Sequence, residues 1–122
     1  MNGKMQEAAA RSALESERLL ALDRVRAMTS EIAGLAGDAG DANGDDEHDP
    51  EGSTVAYERA RVAALLAESE SNLRDLDMAL EKLAKGTYTV CEGCGGTIAW
   101  ERLEALPAAR RCIECASTPP PR

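Results

Sequence analysis

The chain has 122 residues, no Phe, and only Trp100, Tyr57 and Tyr88 as aromatics. That is too little bulk for a large globular core, so a metal staple or a helix seam has to supply stability. Its formal net charge of −8 argues against nucleic acid as the main partner, because phosphate binding rests on clustered Lys and Arg. The start is polar (Met1-Asn2-Gly3-Lys4) and no run of about eighteen apolar residues occurs. Neither a membrane span nor a signal peptide is therefore expected, and a cytoplasmic location is.

From about Lys4 to Leu35 the sequence predicts a helix, rich in Ala, Glu, Arg and Leu and free of Pro. Leu14, Ala21, Val25, Met28, Ile32 and Leu35 recur at heptad spacing, with Arg18 as the polar interruption. Residues of about 36–53 read as a loop: they hold glycines, Pro50 and no large apolar side chain. Asp38, Asp41, Asp45, Asp46, Glu47, Asp49 and Glu51 place nearly all of the net charge there, with no Lys or Arg between them.

A second helix is predicted from about Thr54 to Lys85. Val62, Leu66, Leu73, Leu76, Leu80 and Leu83 form its stripe, and Ser69 is the polar break. Asp49 is suited to its N-cap and Pro50 to its first position. Two helices with one strong stripe each, joined by one loop, bury those stripes on each other as an antiparallel hairpin. Dimerisation through the same stripes is the competing reading.

Gly86 is suited to cap the second helix. Thr87–Val90 alternates as a short strand, with Thr97–Ala99 as its hairpin partner, and Glu101–Leu106 reads as a short helix stopped by Pro107. Tyr88, Ile98, Trp100 and Leu103 form the expected small core. The fold class is mostly α: an antiparallel two-helix coiled-coil hairpin plus a small four-cysteine module with a short β-hairpin and a short helix. The boundaries are 1–85 for the hairpin with its acidic loop, 86–116 for the module and 117–122 for a loose tail.

All four cysteines lie in that module, as Cys91-x-x-Cys94 and Cys112-x-x-Cys115 separated by seventeen residues. Each pair puts two thiolates on one tight turn, and two such turns close a tetrahedron around Zn²⁺. Gly95 follows the second cysteine, where positive φ lets the turn aim N–H groups at sulfur. The rival readings are a redox motif, two disulfides, or unrelated core cysteines. A redox pair needs a βαβ context that is missing, and disulfides need an oxidising compartment; the spacing favours one structural zinc. Four sulfur ligands leave no open position for Lewis-acid chemistry, and no residue cluster supports an enzyme.

Gly86-Thr87-Tyr88, Gly95, Ile98, Arg102-Leu103-Glu104-Ala105, Pro107 and Cys112-Ile113-Glu114-Cys115 resemble the zinc finger of the DksA/TraR family over about 86–116. The resemblance implies a bacterial transcription regulator that binds RNA polymerase directly, without sequence-specific DNA binding. It also implies a coiled-coil finger on a zinc base, inserted into the polymerase secondary channel so that its acidic tip acts near the catalytic centre. The best-known tip pattern, D-x-x-D-x-A, is not kept: Asp46-x-x-Asp49 has the spacing, but Glu51 stands where Ala would. A register counted from the first cysteine puts the two aspartates at His48 and Glu51. Asp45, Asp46, Asp49 and Glu51 are the candidate partner-binding residues.

In family members that respond to ppGpp, basic residues hold that nucleotide. The matching positions here are Asp75, Leu106 and Ala116, so strong ppGpp dependence through that site is not expected. A monomer is expected. The alternatives are a zinc-ribbon protein gripping nucleic acid through Arg102, Arg110 and Arg111, and a coiled-coil adaptor that does not bind polymerase.

Overall fold

The computed structural model describes residues 3–41 and 50–118, with side chains placed for 3–35 and 54–118. Helix α1 is Gly3–Asp41 and helix α2 is Pro50–Lys85, followed by the short helices α3, Trp100–Ala105, and α4, Ile113–Ser117. The architecture is mostly α, as the two stripes require. Both long helices exceed their predicted bounds, so the connection is narrower than the 36–53 read from composition. The reason lies in helix energetics. A glycine costs a helix about 1 kcal/mol but keeps its N–H, whereas proline is tolerated only in the first turn. Helix α1 therefore runs through Gly34 and Gly37, and α2 begins on Pro50.

The chain divides into two compact units, and the division does not fall at residue 85. One unit joins Met1–Leu19 to Arg74–Arg122, and the other is Leu20–Leu73.

The Leu20–Leu73 unit is a two-helix seam. Ala21 and Val62 are fully buried in it, while Val25, Met28, Ile32, Leu35, Leu66, Ser69 and Leu73 are half-buried. The pairing is antiparallel. Ser69 Oγ donates to Met28 Sδ at 3.7 Å, and further toward the connection Glu31 faces Arg61. That guanidinium is held protonated first by Glu58 and also by the field of Glu31. The polar break predicted at Ser69 is thus accommodated by a sulfur acceptor.

The other unit carries most of the core: Leu14, Leu76, Ala79, Leu83, Tyr88, Cys91, Ile98 and Leu103 are all buried. The 3/4 spacing of Leu76, Ala79 and Leu83 turns one face of α2 inward, and Leu14 comes from α1. The polar break at Arg18 is answered by an ion pair with Asp77. Trp100, expected in the core, is only half-buried; its ring lies 5.9 Å from that of Tyr88, tilted by 51°.

The predicted β-hairpin is reduced to a single antiparallel bridge, Val90 to Thr97. Two cross-strand bonds flank it, Ile98 N to Thr89 O at 2.7 Å and Cys91 N to Gly96 O at 2.8 Å, while Val90 N turns back to Thr87 O at 3.1 Å, and the cysteine knuckle begins directly after it. No length of chain is left for a ladder. Helix α4 ends at Ser117, the first residue of the expected tail.

Candidate metal centre and its mounting

The first knuckle is built by backbone geometry. Gly95 takes φ +76°, which lets its N–H donate to Cys91 O at 2.9 Å. Gly93 N then donates to Cys91 Sγ at 3.3 Å, and Gly96 N to Cys94 Sγ at 3.4 Å. The second knuckle is the entry to α4, closed by Ala116 N donating to Cys112 O at 2.9 Å. Two bonds dock the knuckles on each other: Cys112 N to Cys91 Sγ at 3.2 Å and Glu92 N to Arg110 O at 2.9 Å.

The four Sγ atoms of Cys91, Cys94, Cys112 and Cys115 consequently lie within 4.8 Å of one another, and those of Cys94 and Cys112 are 3.9 Å apart. A tetrahedron of sulfurs with arms of about 2.3 Å around Zn²⁺ has edges of about 3.8 Å. A disulfide needs about 2.05 Å, and all four cysteines are free.

The electrostatics point the same way. The Cys91 thiol is held down to about 6, first by the Cys112 N–H, with the N–H groups of Cys94 and Gly93 adding to it. The Cys115 thiol is pushed up to about 12 by Cys91 first and then by Cys112 and Cys94. The first thiolate is welcome and the last is not, because like charges crowd the site. A dication reverses that balance and makes four thiolates stable together. The donor set fits one structural Zn²⁺, whose binding is folding free energy for the module.

Around this centre lies a charge network that the sequence did not announce. Arg110 pairs with Glu92 at 2.9 Å and with Asp75 at 3.6 Å, and Lys82 pairs with the same Glu92 at 3.2 Å. The network ties α2 to both knuckles. Arg110 first, then Lys82, holds the Glu92 carboxyl below the usual carboxylate range. Its ion-paired members lie 10 to 35 positions apart in the chain, so no local spacing exposes it. A second tie is Tyr88 Oη, which donates to Pro107 O at 2.7 Å. Arg102 Nε donates to Arg111 O at 2.8 Å. Two of the three arginines invoked for nucleic-acid binding are therefore engaged within the protein.

The acidic candidates are placed differently. Asp45, Asp46 and Asp49, with His48, lie outside the described residues. Glu51 falls within α2, with its side chain outside the described ones. No described helix is long and apolar enough to cross a membrane.

Four thiols closed around one metal position define a protein with a structural C4 zinc finger. Residues 86–118 of this chain match the family described as the prokaryotic dksA/traR C4-type zinc finger. Its structure is similar to that of transcription factor DksA2 from Pseudomonas aeruginosa, with a TM-score of 0.77 and 28% identity, covering 95% of this chain and 84% of that one. It is 36% identical over 87 residues to General stress protein 16O of Bacillus subtilis, covering 71% of this chain and 50% of that protein. It is 38% identical over 78 residues to YteA of the same organism, covering 64% of this chain and 33% of that one. The matches thus span a third to a half of those two relatives' own length.

Proposed function

We propose that this protein is a cytoplasmic transcription regulator that binds RNA polymerase directly, as a monomer. The acid-bearing connection between its helices enters the secondary channel to modulate initiation. The observation that carries this reading is the similarity to transcription factor DksA2 across 95% of the chain, joined to a C4 finger of the same family over 86–118. Asp45, Asp46, Asp49 and Glu51 are the tip residues, and their carboxylates suit the basic side chains and Mg²⁺ of a polymerase active centre. The sign of the module supports protein over DNA as partner. Over 86–116 four glutamates face three arginines, and four thiolates with Zn²⁺ add net negative charge. Strong ppGpp dependence is not part of this reading, since Asp75, Leu106 and Ala116 offer an anion no positive charge and Asp75 is paired with Arg110.

The test is in vitro transcription with purified core enzyme and initiation factor, with and without the protein, together with a binding assay on core enzyme. Wild type is expected to bind and to change initiation, and the Asp46→Ala/Asp49→Ala/Glu51→Ala variant to bind without that change. A triple variant that regulates like wild type removes the tip from the mechanism. Absence of binding to core enzyme refutes the function.

A further inference from the structure

Within the unit that joins Met1–Leu19 to Arg74–Arg122, the start of α1 and the helix α3 leave a cavity of about 450 Å³ between them. Side-chain size explains the gap. The α1 wall carries Ala9, Ala10 and Ala13, and the other wall carries Trp100, Leu103 and Pro107. Three methyl groups do not fill the space beside an indole. Trp100 therefore stays half-buried, although Leu103 on the same short helix is only 2% exposed. The volume lies in the range of about 300–1,000 Å³ typical of sites for small organic ligands.

The α3 wall is held in place by its neighbours. Tyr88 Oη donates to Pro107 O at 2.7 Å, the Tyr88 ring lies 5.9 Å from that of Trp100, and Leu103 N donates to Ala99 O at 3.1 Å. A wall formed in advance loses little freedom when a ligand enters. Met5, which also lines the cavity, is 72% exposed, and a methionine adapts its shape to an occupant.

The polar groups decide what kind of occupant fits. Glu104 is the one charged residue in the lining, with no Lys or Arg beside it. Among the described residues it has no ion-pair partner. It follows Trp100 by four positions within α3, so its carboxylate and the indole are neighbours on one helix face. A carboxylate next to an indole favours a cation twice over, by charge and through the π face of the ring. Gln6 adds an amide that both donates and accepts hydrogen bonds.

We propose that this cavity binds a small organic cation: an ammonium or quaternary ammonium head group on an aromatic or alicyclic body. The head group lies between Glu104 and Trp100, and the body covers Leu103 and the alanines of α1. The site is independent of the polymerase-binding reading. A lysine side chain from a protein partner brings the same charge, but its thin stem leaves the space between Ala10, Ala13 and Leu103 empty.

The test uses the full chain, zinc-loaded, and three probes that share one bicyclic body: 2-naphthylmethylammonium, 2-naphthylmethanol and 2-naphthoate. Trp100 is the only tryptophan, so its indole N–H gives a single resonance on which an NMR titration is followed. The ammonium is expected to shift that resonance saturably, the alcohol to bind about tenfold more weakly, and the carboxylate more weakly still. Glu104→Gln is expected to weaken the ammonium about fivefold and to leave the alcohol unchanged. Ala10→Leu fills the cavity and is expected to weaken ammonium and alcohol alike by at least about tenfold, with unchanged zinc content. No shift with the ammonium overturns the proposal, as do equal affinities for all three probes. Should Ala10→Leu lose zinc, Glu104→Gln decides alone, and an unchanged ammonium affinity overturns the assignment. N-acetyl-lysine methylamide binding as tightly as the naphthyl ammonium makes a protein side chain the occupant and overturns it as well.

Discussion

Replacing Gly93 by Ala isolates the packing of the metal centre from everything else. Gly93 does not adopt positive φ, so the substitution brings no backbone penalty and its effect is steric. A Cβ at that position stands 3.0 Å from Cys115 Sγ, 3.3 Å from Cys115 Cβ and 3.6 Å from Arg111 Cδ. Carbon contacts are comfortable from about 3.5 Å, so Cys115 has to retreat by a few tenths of an ångström. It cannot do so freely, because its sulfur is one of four that must meet at a single metal. Overpacking of this size costs about 1–3 kcal/mol, which at about 1.4 kcal/mol per decade weakens zinc binding roughly 5- to 150-fold.

Competition for zinc against a chromogenic chelator at fixed pH reads this directly. Gly96→Ala is the internal control. There a Cβ meets only Cys94 Sγ, at 3.4 Å, an ordinary contact, and affinity should stay within about twofold. Equal zinc affinity for wild type and Gly93→Ala, or an equal loss in the Gly96 variant, would refute the reasoning.

Burial first, and the charge of Glu17 second, raise the Tyr88 hydroxyl to about 12, above an unfolded value of about 10. The neutral phenol is favoured in the fold, so its contribution is complete below pH 10 and is lost as pH climbs from about 10 to 12, on the order of 2–3 kcal/mol. Chemical denaturation across that window should show Tyr88→Phe less alkali-sensitive than wild type; parallel curves would contradict it. Leu76 is fully buried, so Leu76→Ala should cost about 2–5 kcal/mol. Leu19, 63% exposed, should tolerate Ala within about 0.5 kcal/mol. Comparable losses in urea melts would mean that the stripe is misassigned. Arg110→Ala removes two ion pairs whose side chains are 35–45% exposed, and solvent screening limits the loss to about 1 kcal/mol. A much larger drop in melting temperature would show that the network is structurally essential.

The periodicity of the helices was legible because burial along a helix repeats every 3.6 residues whatever lies opposite. Leu14, Ala21, Val62, Leu76 and Leu83 are buried where the stripes placed them, and even the polar breaks at Arg18 and Ser69 occupy the expected positions. The metal centre was legible for a related reason. A C-x-x-C turn brings its two sulfurs together by local geometry, and seventeen intervening residues are enough to return the second pair to the first.

Composition misjudged the helix ends, because a run of Ala and Gly with no proline is a weak helix rather than a stop. It also overstated the strands, whose pairing stops at the bridge between Val90 and Thr97 because turns flank it on the side of Thr87 and at the knuckle. What the tertiary structure alone decided are relations between residues far apart in sequence: Asp75 and Glu92 meeting on Arg110, Lys82 joining that same Glu92, Tyr88 reaching Pro107, and Leu106 lying beside Ile113 in an open groove. Local spacing constrains neighbours along the chain. Contacts of this kind arise only when the zinc-closed turns fix where distant segments lie.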